Sequence, residues 1–205
     1  MGGISQQTNP NRKLRLAVLI SGRGSNLQSI IDACRIDEFP AQIKVVISNI
    51  GDAYGLVRAH ENNITTRFVS HKNFATKAEF ETKILSILEE FEIDLVCLAG
   101  FMRILSPTLI TPWEGRIINI HPSLLPKHKG LHTHERALEE GDSESGCTIH
   151  YVTPGMDEGE IILQKTVPII AGDTPETLAA RVLVQEHIAY PEAIRIMASK
   201  LQHNL

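Results

Sequence analysis

The tightest constraint on the fold lies between residues 14 and 34. Leu14 to Ile20 reads L-R-L-A-V-L-I, an apolar strand. A Gly-rich turn follows, S-G-R-G-S-N-L from Ser21 to Leu27, and then Leu27, Ile30, Ile31 and Cys34 recur at the spacing of one helix face. Strand, Gly-rich turn and helix in that order build an anion site, because the free N–H groups and positive dipole end of the helix face the ligand. The turn is not a dinucleotide fingerprint. Gly22 and Gly24 match its first two glycines, but Leu27 replaces the third, and Asn49 stands where an acidic residue would take a ribose hydroxyl. The phosphate-binding lysine motif is absent as well, so a single phosphate, as on a phosphorylated sugar, fits better. Ser25 with Gln28 also fits a capping box, which needs no ligand.

The same alternation continues. Ile43–Ile47 reads as a strand, Tyr54–Glu61 as a short helix and Thr66–Val69 as a brief strand. Phe80, Ile84, Ile87, Leu88 and Phe91 mark a helix opened by Lys77, where a positive charge opposes the dipole. That lysine faces either solvent or a ligand. Leu95–Leu98 reads as a buried strand; Phe101-Met102-Arg103-Ile104-Leu105 leaves its carboxyl end, with Arg103 either snorkelling at the surface or lining an apolar-walled pocket. Thr133–Glu140 reads as a helix, and Cys147–Val152 and Ile161–Pro168 as antiparallel neighbours joined by a short loop. Thr174 caps a long last helix with Pro175 in its first turn, and Pro191 should kink or break it. The fold class is α/β: one domain over residues 14–205 with a mostly parallel sheet, helices on both faces and a mixed C-terminal part, after a flexible tail over 1–13.

Within that frame one stretch is chemically unusual. The β-branched run Ile117, Ile118, Ile120 is interrupted by Asn119 and His121 and ended by Pro122. Alternate residues of a strand share a face, so the amide and the imidazole sit about 7 Å apart at the strand's carboxyl end. In an open α/β sheet that edge is where ligands bind. Two polar groups there cost folding energy unless each is hydrogen-bonded. Composition excludes other classes: the net charge of −4 gives no broad basic surface for nucleic acid, and no apolar run reaches membrane-spanning length. Cys34, Cys97 and Cys147 are dispersed, which points to reduced thiols in a cytoplasmic protein, with Cys34 and Cys97 buried in packing.

Four motifs, S-G-R-G-S-N-L, L-A-G-F-M-R-I-L, N-I-H-P-S-L-L-P and M-D-E-G, resemble those of the phosphoribosylglycinamide formyltransferases, in the folate-dependent formyltransferase superfamily. The resemblance runs from about Leu14 to Tyr190. It implies a Rossmann-like formyltransferase sheet and, as small-molecule substrates, 10-formyltetrahydrofolate (a co-substrate) and phosphoribosylglycinamide. By matching position, Asn119, His121 and Asp157 would be catalytic. Gly24, Ser25, Asn26 and Glu186 would hold the ribonucleotide. Lys77, Met102, Arg103, Ile104, Leu105 and Asn119 would meet the folate. No metal, nucleic acid or membrane is implied, and monomer and homodimer both remain open.

Formyl transfer to an amine passes through a tetrahedral carbon bearing an oxyanion, which needs donors already aimed at it. Asn119 offers an amide N–H and His121 an imidazolium N–H. Asp157 beside His121 favours the charged ring, and a group titrating near neutrality suits the proton transfer from amine to folate nitrogen. His128, His132 and His134 read as solvated loop residues, since no cysteine partners them at zinc spacing. The alternatives are a formyltetrahydrofolate deformylase-like hydrolase, with water as acceptor, and a silent phosphosugar-binding module.

Overall fold

The computed structural model describes residues 12–202. The tail expected over residues 1–13 therefore lies mostly outside the described residues. One sheet of seven strands runs through the chain in the order β3-β2-β1-β4-β5-β6-β7. The strands are β1 (Leu14–Ile20), β2 (Ala41–Ser48), β3 (Thr66–Phe68), β4 (Leu95–Leu98), β5 (Ile117–His121), β6 (Glu144–Tyr151) and β7 (Ile161–Pro168). The first five pair in parallel, and β6 pairs antiparallel with both β5 and β7. The helices are α1 (Ser25–Cys34), α2 (Tyr54–Glu61), α3 (Lys77–Glu90), α4 (Pro107–Ile110), α5 (Thr133–Glu139) and α6 (Pro175–Gln202).

Two cores form because each central strand buries both faces. On one face Leu16, Val18, Cys97 and Ile118 pack against Leu27 and Ile30 of α1, Ala137 of α5, and Leu178, Val182, Tyr190 and Ile194 of α6. On the other Ala17, Leu19, Val96 and Ile117 pack against Phe80, Ile84 and Leu88 of α3 and Leu109 of α4. Fully burying a side chain of this size is worth about 1.5–3 kcal/mol, so this alternation of faces fixes the register of every central strand.

Two local expectations are corrected. Gly24, not Ser25, is the N-cap of α1; it is left-handed, and no side chain caps the helix. Ser25 is thus the first helical residue, and its capping box with Gln28 does not form. The helix α6 is not broken by Pro191. The proline costs one backbone bond, but Ala189, Tyr190, Ala193 and Ile194 are all fully buried around it. The Tyr190 hydroxyl also donates to the Leu98 carbonyl at 2.9 Å, tying the helix to β4. Among the described residues no helix is long and apolar enough to cross a membrane.

Candidate active site

The antiparallel pairing of β5 with β6 sets Asn119 opposite His150 and His121 opposite Thr148. By strand alternation these side chains share the face of Ile117, the side covered by α3 and α4. That helical cover ends over the start of β5. Past it, the segments 100–105, 130–135 and 152–157 wall a cavity of about 660 Å³ against the carboxyl end of β5. Asn119, His121, His150 and Asp157 all line it.

The hydrogen bonds fix how the polar groups face. His150 Nδ1 is 2.9 Å from the Tyr151 carbonyl, which can only accept, so Nδ1 carries the proton and Nε2 the lone pair. Asn119 Nδ2 then donates to His150 Nε2 at 3.2 Å. This orients the amide and leaves its second N–H for another acceptor. Burial pushes the His150 imidazole below its usual range, against the opposing effects of the Tyr151 carbonyl and Asp157, and so favours the neutral ring this bond requires. His121 is buried; its Nε2 lies 2.9 Å from the His128 carbonyl, and its Nδ1 3.4 Å from Asp157 Oδ2. Asp157 has a left-handed backbone, φ 52°, and Oδ2 accepts the Gly130 N–H at 2.9 Å. The turn that carries it lines the cavity at the sheet edge. An amide donor, an imidazole and a carboxylate thus meet on one wall of the cavity.

Residues 14–194 match the formyl transferase family. The phosphoribosylglycinamide formyltransferase of Escherichia coli (strain K12) is 46% identical over 181 residues, which cover 88% of this chain and 85% of that protein. The chain belongs to the formyl transferase family. The trifunctional purine biosynthetic protein adenosine-3 of Homo sapiens is 50% identical over 188 residues, 92% of this chain, and the chain spans only 19% of that protein. A crystal structure of phosphoribosylglycinamide formyltransferase from Brucella melitensis superposes with a TM-score of 0.89 at 49% identity, over 91% of this chain and 96% of that one.

In this formyl transferase the remaining predicted residues fall into three places. Met102, Arg103, Ile104 and Leu105 line the cavity; Met102 and Ile104 are 70% and 62% exposed, apolar surface suited to a ligand's face. Gly24, Ser25, Asn26 and Glu186 lie outside that lining and form a second, adjoining group. Asn26 Nδ2 donates to Glu186 Oε2 at 2.6 Å, and both residues are buried. Asn26 Oδ1 has no protein partner. Burial raises the Glu186 carboxyl above its usual range, partly offset by the Asn26 bond. Ser21 ties the two groups together: its N–H donates to the Gly100 carbonyl at 3.0 Å, and its Oγ accepts the Met102 N–H at 2.8 Å. Lys77 is exposed in the first turn of α3 and is not brought into the cavity lining.

The loop histidines are not alike. His132 is exposed, as expected. His128 is buried and hydrogen-bonded to Asp142, and His134 lines the cavity with its ring below the usual range through burial, so neither is a solvated residue. His150 is the functional residue that sequence reasoning missed. Its signal was the alternation Thr148-x-His150 on a strand beside Asn119-x-His121. Burial pushes the Cys34 thiol up to about 11 and the Cys147 thiol up to about 12, which favours their protonated, weakly nucleophilic form.

Proposed function

We propose that this formyl transferase moves the formyl group of 10-formyltetrahydrofolate to the amine of 5'-phosphoribosylglycinamide, releasing formyl-phosphoribosylglycinamide and tetrahydrofolate in purine synthesis. The observation that carries the reading is the convergence of Asn119, His121 and Asp157 in a cavity adjoining the α1 N-terminus. The names of the relatives, including a purine biosynthetic protein, support the same assignment.

In this reading the first N–H groups of α1, at Gly24, Ser25 and Asn26, hold the phosphate. Glu186 accepts from the ribose hydroxyls, and the unpartnered Asn26 Oδ1 is a further acceptor beside it. The folate lies along Met102–Leu105, with Arg103 toward its acidic tail, and Lys77, outside the cavity lining, is given no contact with it. The substrate amine attacks the formyl carbon, a C–N bond forms, and the carbonyl oxygen becomes an oxyanion. The second Asn119 N–H and the His121 Nδ1–H take that charge. The loosely held 3.4 Å contact leaves Nδ1–H open to share with the oxyanion while Asp157 balances the ring. Collapse breaks the carbon's bond to the folate nitrogen. The proton given up by the amine passes to that nitrogen through His121 or a water held between it and Asp157.

Product analysis tests this. The protein incubated with both substrates should yield formylated ribonucleotide and tetrahydrofolate in equal amounts. Formate in place of the formylated product would assign the site to hydrolysis. Binding without either product would make it a phosphosugar module.

A further inference from the structure

His121 depends on a residue that does not touch the cavity's chemistry. A carbonyl oxygen 2.9 Å from Nε2 can only accept, so it requires a proton on that nitrogen. The carbonyl belongs to His128, whose backbone is left-handed at φ 52°, a conformation costly for a residue with a Cβ. Its side chain offsets that cost. The buried imidazole places Nε2 2.8 Å from Asp142 Oδ2 and Nδ1 3.7 Å from Glu140 Oε1. Asp142 is braced from the other side by Lys127 Nζ at 2.7 Å. The His128 bond, followed by Lys127, holds the Asp142 carboxyl below its usual range. Ser123 Oγ closes the turn by donating to the Lys127 carbonyl at 2.7 Å. Each nitrogen of His128 faces a different carboxylate, so the side chain is held from two sides.

We propose that His128 is a positioning residue for His121. Its clamped imidazole aims its main-chain carbonyl, that carbonyl keeps a proton on His121 Nε2, and Nδ1, beside Asp157, is left as the nitrogen that gives and retakes the transferred proton. The kinetic consequence rests on the formyl-transfer reading; the tautomer assignment does not. In a neutral His121 ring two acceptors compete for one proton, the His128 carbonyl at Nε2 and the Asp157 carboxylate at Nδ1. Once Nδ1 has given up the proton it shares with the oxyanion the ring is neutral, and a loosened clamp then moves the Nε2 proton to Nδ1 and removes the lone pair that retakes a proton from the amine.

The test reads the ring nitrogens of His121 by 15N NMR at a pH that leaves the ring neutral, in the wild type, His128→Ala and His128→Asn. Asparagine tolerates the left-handed backbone and is too short to reach Asp142. The wild type should show the Nε2–H form, and both variants should shift toward Nδ1–H. Turnover should fall on the order of tenfold, with KM for both substrates within about twofold, as expected when a proton-transfer group is misplaced and binding is spared. Asp142→Asn leaves His128 in place and should shift the tautomer in the same direction, which keeps the test open if the His128 variants unfold. Unchanged Nε2–H in the variants, or a raised KM at constant kcat, would overturn the proposal. A tautomer shift in a protein that forms no formylated product would leave the positioning intact and defeat the functional reading instead.

Discussion

Replacing Gly24 with alanine should be costly, and replacing Gly22 should not. Gly24 is left-handed at φ 70°, where a side chain costs roughly 1–2 kcal/mol. A Cβ built there would also lie 2.7 Å from the Gly55 Cα. That neighbour is backbone at the start of α2, held by its N–H bond to the Gly22 carbonyl at 3.0 Å. Over-packing against an atom that cannot rotate away adds about 1–3 kcal/mol. Together these give a loss of roughly 2–4 kcal/mol, allowing for partial relaxation. Gly22 has nothing within 4 Å of its Cβ position, so its alanine variant should stay within about 0.5 kcal/mol of wild type. Glycine at 24 is thus required by the close approach of the α2 turn, before any ligand is considered. Urea unfolding of both variants measures the stabilities, and calorimetric titration measures the ligands. Gly24→Ala should weaken phosphoribosylglycinamide binding while a folate analogue binds nearly as before. Equal stability of the two variants, or equal loss of both ligands, would refute the reasoning.

Two further outcomes are expected. Asn119→Ala should lower single-turnover formyl transfer by roughly 10²- to 10³-fold with substrate affinities little changed, the usual loss for one oxyanion donor; a rate within a few-fold of wild type would make Asn119 a structural amide. Glu186→Gln should raise Tm at neutral pH and weaken ribonucleotide binding. Burial raises the folded carboxyl above its ordinary value of 4.5, so the native state binds more protons than the unfolded one between those two values, and the ionised form is destabilising above them. The Tm advantage of the variant should therefore be largest at neutral pH and close as pH falls toward 4.5.

The parts of this molecule that local chemistry dictates were legible in its sequence. Apolar strands and 3.6-residue periodicities gave β1, α1, α2, β4 and β7, and Pro122 marked where β5 stops and its polar pair begins. The partner of Asn119 was not legible. His150 meets it only through the antiparallel register of β6, and register is a long-range property that no local spacing encodes. His128 was misread for the same reason: its carboxylates come from Glu140 and Asp142, beyond α5, so a loop histidine becomes a buried one only when that helix docks. Pro191 does not break α6, because the packing around Tyr190 outweighs one missing backbone bond.

The most direct measurement of the central account is the single-turnover rate of formyl transfer in Asp157→Asn beside Glu158→Gln. Asparagine at 157 still accepts the Gly130 N–H and loses only the charge that faces His121. Glu158, three-fifths exposed and paired with Lys129 at 3.0 Å, carries the same charge on the outside of the same turn. The account predicts a loss of roughly 10²- to 10⁴-fold at position 157, the range for disabling acid–base transfer, and none at 158. Equal rates in the two variants would contradict it.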